Sequence, residues 1–328
     1  DDPPDLLKFA LGHHIDLTIV GPEVPLVLGI TDLFANAGLR CFGPSKAAAQ
    51  LEGSKAFAKD FLARHHIPTA RYQSFIDPDA AEAYIRAMGA PVVVKADGLA
   101  AGKGVILAQS VDEAIAAARG MLSGADFGAA GHRVVVEEFL TGIEMSVFVL
   151  TDGRNYIMLP EAKDYKRVGE GDTGLNTGGM GAVSPLPFFD ETLRQKVITR
   201  IIEPTIKGIR SEGMDYLGFI FFGLIVCNGE PLVIEYNCRM GDPETEVVIP
   251  RLQNDLVELF ISAARGRLGD MAASIDPRAA ATVVAVSGGY PGEYKKGLPI
   301  KGLEQEALEG CMIFQAGTKD DHGTILTN

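Results

Sequence analysis

The sequence predicts an α/β protein of two domains, or of three small ones. Over the first 53 residues, short β-rich runs alternate with helical patterns, and this alternation is typical of a parallel sheet. From Pro91 onward the sequence is rich in β-forming residues, and a polar, glycine-dense stretch lies between Lys163 and Pro187. A chain of 328 residues has the length for roughly two domains of about 150 residues each.

The N-terminal part is predicted to run helix, strand, helix, strand. A helical pattern around Leu6 to Ala10 precedes a β-rich run from Ile15 to Val20, which ends at Gly21-Pro22. Leu26 to Ala37 is predicted to be one helix, and Arg40 to Phe42 a strand. Strands separated by helices in this way favour parallel pairing.

After position 53 the patterns indicate a second unit with more strands. Ser54 is a predicted N-cap, and Ser110 with Glu113 forms a capping box. The predicted helices cover residues 54–65, 110–122, 191–212 and 244–265. The predicted strands cover residues 92–95, 105–107, 133–139, 144–150, 156–159, 219–226 and 232–237, and a last β-rich piece begins near Ala281. The stretch from Lys163 to Pro187 exceeds the usual length of structureless loops, so we expect a working loop there.

Composition excludes several classes of protein. The 30 Lys and Arg residues against 43 Asp and Glu residues give a net charge of −13, which disfavours nonspecific binding to nucleic acid or to an anionic membrane. The longest apolar run, Tyr216 to Cys227, is too short for a spanning helix. Four cysteines without zinc-type spacing favour reduced thiols, and so a cytoplasmic location.

A glycine-rich turn between two predicted strands, Val92 to Val105, is suited to an anion. Gly98, Gly102 and Gly104 let the backbone approach phosphate closely, and Lys95 and Lys103 add positive charge. The spacing does not fit a P-loop, because three residues rather than four separate Gly98 from Gly102. A glycine hairpin with solvated lysines is an equally good interpretation of this segment taken alone.

The segment from Arg133 to Glu144 runs a buried strand into two adjacent acids. Successive side chains of a strand face opposite ways, so Glu137 and Glu138 cannot serve the same face. Main-chain groups and apolar side chains around Phe139 and Leu140 suit an adenine, and a later carboxylate such as Glu144 suits a ribose. Taken alone, this segment is more often an edge strand with exposed acids than a nucleotide-binding strand.

The most informative segment runs from Pro231 to Thr245. Glu235 and Asn237 are two apart on a predicted strand, so their oxygens face one side and can share a hard cation that also holds phosphate. Arg239 falls on the same face if the strand persists, and its planar cation suits a transferring phosphoryl group. Asp242 then stands at a turn into a helix, where it can cap the helix or bind substrate.

Five segments together carry a family resemblance. They are Ile19-Val20-Gly21-Pro22-Glu23, Leu51-Glu52-Gly53-Ser54-Lys55, the lysine- and glycine-rich segment 95–104, Asn176-Thr177-Gly178-Gly179-Met180-Gly181, and 235–245. On these segments the chain resembles the ATP-grasp enzymes, and most closely the glycinamide ribonucleotide synthetase family. The resemblance covers nearly the whole chain, and the third and fifth segments distinguish this family from other ATP-grasp proteins.

The resemblance implies a fold and a domain organisation. Two α+β subdomains of an ATP-grasp fold would clamp ATP, after a partial Rossmann-like parallel α/β domain and before a partial β-rich domain. The expected bounds are 1–53 for the N-terminal domain, 54–276 for the ATP-grasp domain with a small lid subdomain at about 70–140, and 277–328 for the C-terminal domain. A closing lid is expected from the 98–104 flap and the Lys163 to Pro187 loop, because an acyl phosphate must be protected from water.

The resemblance also implies an activity. ATP, glycine and 5-phosphoribosylamine would give glycinamide ribonucleotide, ADP and phosphate through a glycyl phosphate, with Mg²⁺ or Mn²⁺ accompanying the nucleotide. This reaction belongs to de novo purine synthesis. We expect a cytoplasmic monomer that has no nucleic-acid or membrane partner.

Site residues follow from the resemblance position by position. Catalysis would rest on Lys95 and Arg239, and the metal on Glu235 and Asn237. ATP would be bound by Lys55, Lys95, Gly98, Gly102, Lys103, Gly104, Glu137, Phe139, Leu140 and Glu144. The surface for glycine and the sugar phosphate would comprise Gly21, Pro22, Glu23, Asp164, Asn176, Thr177, Gly178, Gly179, Met180, Gly181, Asp242, Pro243 and Glu244.

Two departures from the family pattern leave alternatives. Family members begin with a strand and a glycine-rich turn that are absent here and continue past Asn328, so a truncated nucleotide-binding module without turnover is one alternative. A carboxylase-type or carboxyaminoimidazole-type ligase is another, which the segments 176–181 and 241–245 disfavour. Many ATP-grasp enzymes place a further metal-ligating acid on the preceding strand, where this chain has Phe221, Phe222 and Gly223.

Overall fold

A short parallel sheet opens the chain. The computed structural model describes residues 2–100, 104–124, 128–171, 173–303 and 310–328. Strands β1 (Thr18–Ile19) and β2 (Cys41–Phe42) pair in parallel, as predicted. The helices of this part are α1 (Pro3–Gly12), α2 (Glu23–Leu28), α3 (Ile30–Asn36) and α4 (Gln50–Gly53). The single helix predicted from Leu26 to Ala37 is wrong, because Gly29 adopts a φ of 93° and separates α2 from α3.

A four-stranded sheet, here called the lid sheet, follows helix α5 (Lys55–Arg64). Its strands are β3 (Tyr72–Phe75), β4 (Val92–Ala96), β5 (Val105–Ala108) and β6 (Val134–Glu138), in the order β3-β6-β4-β5 and antiparallel throughout. Helices α6 (Pro78–Met88) and α7 (Val111–Leu122) pack on it and enclose a core that includes Ile85, Val94 and Met121. Ser110 caps α7 as predicted, accepting a hydrogen bond from the Glu113 amide.

A second antiparallel sheet, here called the floor sheet, has the order β14-β13-β7-β8. Its strands are β7 (Ile143–Thr151), β8 (Tyr156–Met158), β13 (Gly218–Cys227) and β14 (Glu230–Asn237). The helix predicted over 191–212 is present as α8 (Glu191–Val197), a π-helical turn (Ile198–Ile202) and α9 (Glu203–Ser211). These helices, α5 and the N-terminal helices share one core with the floor sheet, which includes Phe34, Phe61 and Phe222.

The stretch from Lys163 to Pro187 is not the irregular loop that its polar composition predicted. It contains β9 (Lys163–Asp164), β10 (Arg167–Gly169), β11 (Thr173–Asn176) and β12 (Gly181–Ser184). Strands β10 and β11 form a hairpin, while β12 lies between β9 and β15 (Ala280–Val283) in a three-stranded sheet. Glycines made this stretch look unstructured, but here they serve turns and close strand contacts.

The helix predicted from 244 to 265 is divided. It consists of α10 (Thr245–Val248), a 3₁₀ turn (Ile249–Arg251) and α11 (Leu256–Ala264). Pro250 lies at the break, where a proline removes a helical hydrogen bond, and Leu252 then continues in extended conformation and bridges Ile275. A final hairpin is formed by β16 (Thr318–Asp321) and β17 (Thr324–Thr327).

The two larger sheets meet along the chain segment after α5. The Val233 amide of β14 donates to the Pro68 carbonyl at 2.8 Å, and Thr69 forms a bridge with Val233. The lid sheet therefore starts at a point anchored on the floor sheet, and the space between the two sheets is here called the cleft. Across the described residues, none of the helices has the length and apolar character needed to cross a membrane.

Candidate active site

One wall of the cleft carries two lysines that converge from separate elements. Lys55 is the first residue of α5, and its Nζ donates to the Gly98 carbonyl at 3.1 Å. Asp97 holds the start of this helix by accepting hydrogen bonds from the Ser54 hydroxyl at 2.9 Å and the Ala56 amide at 2.7 Å. Burial lowers the pKa of Lys55, with Glu235 opposing this shift. The charge of Glu235, on the β14 side of the cleft, therefore acts on Lys55.

Lys95 ends inside the cleft from strand β4. It is 5% exposed, and its Nζ lies 2.9 Å from Glu137 Oε1 and 3.5 Å from the Ile234 carbonyl oxygen. Glu137 also pairs with Lys59, whose Nζ lies 2.8 Å from Oε2. Ile234 directly precedes Glu235, so the structure brings the lysine wall and the predicted metal strand together.

The described ends of the glycine-rich flap, at Gly98 and Gly104, lie beside these lysines. Gly98 packs so closely on Ala130 that a Cβ atom at position 98 would lie 2.8 Å from the Ala130 Cβ. Gly104 accepts a hydrogen bond from the Ala96 amide at 2.8 Å and closes the turn between β4 and β5. Gly102 and Lys103 lie outside the described residues, so their predicted contribution stays a prediction.

The predicted adenine hinge follows the end of β6. This strand is central, between β3 and β4, so the edge-strand interpretation of the segment is wrong. Glu137 is buried at 3% exposure, whereas Glu138 faces outward and pairs with Arg71 at 2.7 Å. Phe139 and Leu140 are half-buried. The alternation expected of a strand therefore separates the two acids.

The opposite wall presents the predicted metal ligands. Glu235 and Asn237 share one face of β14, because Tyr236 between them is buried in the core. They lie opposite Gly223 and Phe221 of β13, neither of which supplies an oxygen side chain. Carboxylate and amide oxygens suit Mg²⁺ or Mn²⁺.

Other ligands for a cation would come from outside the protein. Across the described residues, no group of three or more His, Cys, Asp or Glu side chains is placed to hold a metal ion. Two protein oxygens fit a cation that takes its remaining ligands from nucleotide phosphates and water.

Arg239 lies beside these ligands, although the strand ends at Asn237. Its Nη2 is 3.5 Å from Asn237 Oδ1 and 3.1 Å from Glu52 Oε1, and its Nε is 3.4 Å from Glu23 Oε2. Glu23 is the first residue of α2, so the N-terminal part reaches the site through this contact. Gly21 and Pro22, predicted with Glu23, are exposed at the same turn.

A group of acidic side chains, here called the acidic pocket, lies beside the wall that carries Glu235 and Asn237. Asp164 and Glu244 are buried, and the Ser146 hydroxyl donates to Glu244 Oε1 at 2.9 Å. Burial, reinforced by the charge of Asp164, raises the pKa of Glu244 to about 7. Lys166 Nζ lies 3.5 Å from Asp164 Oδ2 and 3.9 Å from Glu144 Oε2.

Lys166 lies among acids, although its side chain is 46% exposed. Burial by itself would lower the pKa of Lys166, but Asp164, Glu235 and the other nearby acids raise it overall. The exposed Glu144, predicted as the ribose ligand, is therefore joined to the acidic pocket by this lysine.

The two predicted substrate motifs touch each other. Gly179 has a φ of 147° and packs directly on the Pro243 ring, where a Cβ atom would overlap the ring carbons. The Thr177 amide and hydroxyl both donate to the Lys166 carbonyl, at 2.8 Å and 2.9 Å. Asp242 is exposed and its side chain does not cap α10. Of the rest of this surface, Asn176 and Gly178 are exposed, Met180 is half-buried and Gly181 is buried.

Sequence reasoning missed three charged residues of the site. Lys59 follows Lys55 by four residues, and this helical spacing was the signal that both share a face of α5. Glu52 lies within a segment that carried the resemblance, but it received no role. Lys166 follows Asp164 by two residues, within a stretch interpreted as a loop.

Comparison with known proteins gives consistent results. Family models described as the phosphoribosylglycinamide synthetase N domain, ATP-grasp (A) domain and C domain match residues 1–52, 53–245 and 280–328. The chain is 54% identical over 328 residues to a phosphoribosylamine–glycine ligase of Pasteurella multocida, covering 100% of this chain and 76% of that protein. A relative of the same name from Escherichia coli O157:H7 is 54% identical over 327 residues, covering 99% and 76%.

Solved structures agree with the predicted fold. A crystal structure of phosphoribosylamine–glycine ligase from Thermotoga maritima superposes with a TM-score of 0.81 at 37% identity, covering 88% of this chain and 72% of that one. A biotin carboxylase from Campylobacter jejuni, at 20% identity, has a TM-score of 0.73 over 91% of this chain and 66% of its own, which shows the fold alone. The predicted ATP-grasp fold is confirmed.

Proposed function

The chain belongs to the phosphoribosylglycinamide synthetase family, and on that premise we propose that its cleft is the active site of a glycine ligase. The protein is an ATP-dependent phosphoribosylamine–glycine ligase of purine biosynthesis. It joins glycine to 5-phosphoribosylamine and forms glycinamide ribonucleotide, ADP and phosphate. One observation carries the site assignment: Lys95 Nζ lies 3.5 Å from the carbonyl of Ile234, the residue before Glu235, so cationic and cation-binding groups share one cleft.

The geometry supports binding of ATP between the two sheets. Lys55 and Lys95 would contact the phosphates under the flap at Gly98 and Gly104. The main chain at Glu137, Phe139 and Leu140 would receive the adenine, and Glu144 the ribose. Lysines in a water-poor cleft stabilise phosphate charge more strongly than lysines in bulk water, because the effective dielectric constant is lower.

Glu235 and Asn237 would hold Mg²⁺ or Mn²⁺. When bound, the ion would neutralise phosphate charge and orient the γ-phosphoryl group. Arg239 is placed beside Asn237 by Glu52 and Glu23, and there its guanidinium would balance charge on the transferring phosphoryl group. The glycine carboxylate would attack that group and form glycyl phosphate, with ADP as the leaving group.

The acidic pocket supports a site for the amine-bearing substrates. Asp164 and Asp242 would offer negative charge to the glycine ammonium and Glu244 a carboxyl oxygen. The main chain of 176–181 and the turn at Gly21 to Glu23 would contact the sugar phosphate. The amine of 5-phosphoribosylamine would then attack the glycyl carbonyl and release phosphate. Packing of Gly179 on Pro243 keeps both substrate motifs on the same surface.

Several coarser features are part of the same proposal. We propose a division into domains 1–53, 54–276 and 277–328, with a lid subdomain at about 70–140 that the separate core of the lid sheet supports. Cys41, Cys227, Cys238 and Cys311 are free thiols, which supports a reducing cytoplasmic compartment. The net charge of −13 supports the absence of a nucleic-acid or membrane partner, and we propose a monomer.

ADP release measured with all substrate combinations tests the function. The proposal requires ADP formation that depends on both glycine and 5-phosphoribosylamine, with glycinamide ribonucleotide as the product identified by mass spectrometry. ATP binding by calorimetry without ADP formation would instead select a nucleotide-binding module without turnover. Release of ADP that depends on bicarbonate would select a carboxylase-type ligase.

A further inference from the structure

Lys59 is a buried cation for which the reaction described above has no use. It lies in the middle of α5 at 2% exposure, with its Nζ 2.8 Å from Glu137 Oε2. The same ammonium donates to the Thr69 hydroxyl at 2.7 Å and lies 5.7 Å from the centre of the Tyr72 ring. Buried lysines are rare and need partners, so a specific role is expected for this one.

The anchor of Lys59 extends to the floor sheet. The Thr69 hydroxyl that accepts from Lys59 donates in turn to the Val233 carbonyl at 2.6 Å. Val233 lies on β14, two residues before Glu235. Lys59 is therefore held between the two walls of the cleft and cannot follow a ligand into it.

Glu137 faces a second lysine with its other oxygen. Lys95 Nζ lies 2.9 Å from Oε1, yet within the described residues Oε1 makes no hydrogen bond of good geometry. Lys95 thus pairs with Glu137 by charge alone, without a hydrogen bond. Lys59 is held by Glu137 on one side and by Thr69 on the other. The three side chains carry a formal charge of +1, so one lysine can leave without exposing Glu137 as an unpaired buried anion.

We propose that Lys59 is a positioning residue that keeps Glu137 neutralised while Lys95 turns from this carboxylate to the phosphates of ATP. This inference rests on the proposed function, in which Lys95 binds the nucleotide. Without Lys59, the departure of Lys95 would leave a carboxylate that is 3% exposed without a counter-charge. An unpaired buried charge is strongly unfavourable, so Glu137 would retain Lys95 and compete with ATP for it.

Calorimetric titration with ATP and Mg²⁺ at pH 7 tests this role without requiring turnover. Burial lowers the pKa of Lys59 to about 8, opposed by Glu137, so the lysine is still charged at this pH. We expect Lys59→Met to weaken ATP binding roughly 10- to 100-fold, because Lys95 is retained. The double variant K59M/E137Q should recover binding to within about threefold of the wild type, since a neutral glutamine has no charge with which to hold Lys95.

Arg64→Met is the matched control for this substitution. Arg64 lies on the same helix and pairs with Glu212 on the surface at 2.9 Å, so the control removes one positive charge from α5 away from the cleft. ATP binding of this variant should equal that of the wild type. In steady-state assays, Lys59→Met should raise the KM for ATP and leave the KM for glycine unchanged.

Two results would overturn the proposal. Wild-type ATP affinity in folded Lys59→Met shows that Glu137 does not need this counter-charge. Weak binding that E137Q does not rescue shows that Lys59 supports only the structure. If Lys59→Met does not fold, the neutral pair K59M/E137Q carries the test, and ATP binding by this folded double variant that is more than about threefold weaker than that of the wild type overturns the proposal.

This test is separable from that of the proposed function. A wild-type chain that binds ATP but forms no glycinamide ribonucleotide contradicts the ligase assignment and leaves the binding comparison valid. A wild-type chain that binds no ATP contradicts both.

Discussion

Glu52 Oε1 lies 3.1 Å from Nη2 of Arg239, a contact between residues far apart in the sequence. The other oxygen, Oε2, accepts a hydrogen bond from the Cys238 amide at 2.7 Å. Burial raises the pKa of Glu52 to about 7, and the Arg239 charge opposes this rise. Glu52 therefore holds both the main chain before Arg239 and its guanidinium, so in the proposed reaction it would act through the arginine.

Substitution of Glu52 should slow turnover more than it weakens nucleotide binding. We expect Glu52→Ala to lower kcat about 10- to 100-fold, because the guanidinium loses its support near the phosphoryl group, with the KM for ATP changed by less than about threefold. Glu52→Gln retains an acceptor for the Cys238 amide, so its kcat should lie between that of the wild type and that of Glu52→Ala. Glu191→Ala, which removes an exposed surface carboxylate, is the control for loss of charge. An unchanged kcat in Glu52→Ala would contradict this role.

Lys95→Met should abolish ligation and leave the fold intact. The substitution would remove the proposed phosphate contact, but Glu137 keeps Lys59 as its partner at 2.8 Å, so no buried charge is left unpaired. We expect ADP formation to fall by at least about 100-fold, with an unfolding midpoint and circular dichroism close to those of the wild type. Near-normal turnover of the folded variant would refute the assignment of Lys95 to the nucleotide.

Glu235→Ala should remove activity through the loss of a cation ligand. Its side chain lies on the cleft face of β14, so truncation leaves the core at Tyr236 untouched. We expect turnover to fall at least about 100-fold at ordinary Mg²⁺ and to recover in part at high Mg²⁺ or Mn²⁺. Glu230→Ala is the matched control, because Glu230 begins the same strand and pairs with Lys196 and Arg200 outside the cleft. A metal titration unchanged from the wild type would argue against Glu235 as a ligand.

Gly179 and its neighbour Gly178 offer a comparison at adjacent positions. Gly179→Ala adds a methyl group where the Pro243 ring already lies, at a φ of 147°, so we expect a loss of about 2–4 kcal/mol in the free energy of unfolding. The KM for glycine should also rise, because the two substrate motifs separate. Gly178 has open space around it, so Gly178→Ala should change stability by less than about 0.5 kcal/mol. Equal effects of the two substitutions, in urea unfolding, would show that the packing against Pro243 is unimportant.

The raised pKa of Glu244 predicts a dependence of stability on pH. The folded pKa of about 7 exceeds the ordinary value of 4.5, so the folded state binds more protons between these values. The stability that this proton contributes is complete below pH 4.5 and is lost as pH rises through about 7. Relative to Glu244→Gln, the wild type should lose about 2–3 kcal/mol in the free energy of unfolding between pH 4.5 and pH 8. A difference between the two proteins that does not vary with pH would contradict a buried, protonated Glu244.

Local patterns predicted much of the fold correctly. Ser54 and Ser110 cap helices where expected, and the buried β-rich runs form strands of the lid and floor sheets. Errors occurred where a glycine or a proline changed the backbone inside a pattern. Gly29 broke one predicted helix and Pro250 another, because backbone conformation at such positions depends on what packs around them.

Local sequence patterns were enough to predict the cleft lysines, the flap glycines and the same-face placement of Glu235 and Asn237, since strand alternation follows from backbone geometry alone. The pairing of charges between distant segments depends instead on how the elements pack. Glu137 lies between Lys59 and Lys95 because α5 packs against both sheets. Glu52 meets Arg239 because α4 packs against β14, and burial leaves such charged groups one another as partners. Such pairings depend on distances across the fold, which periodicity along the chain does not encode.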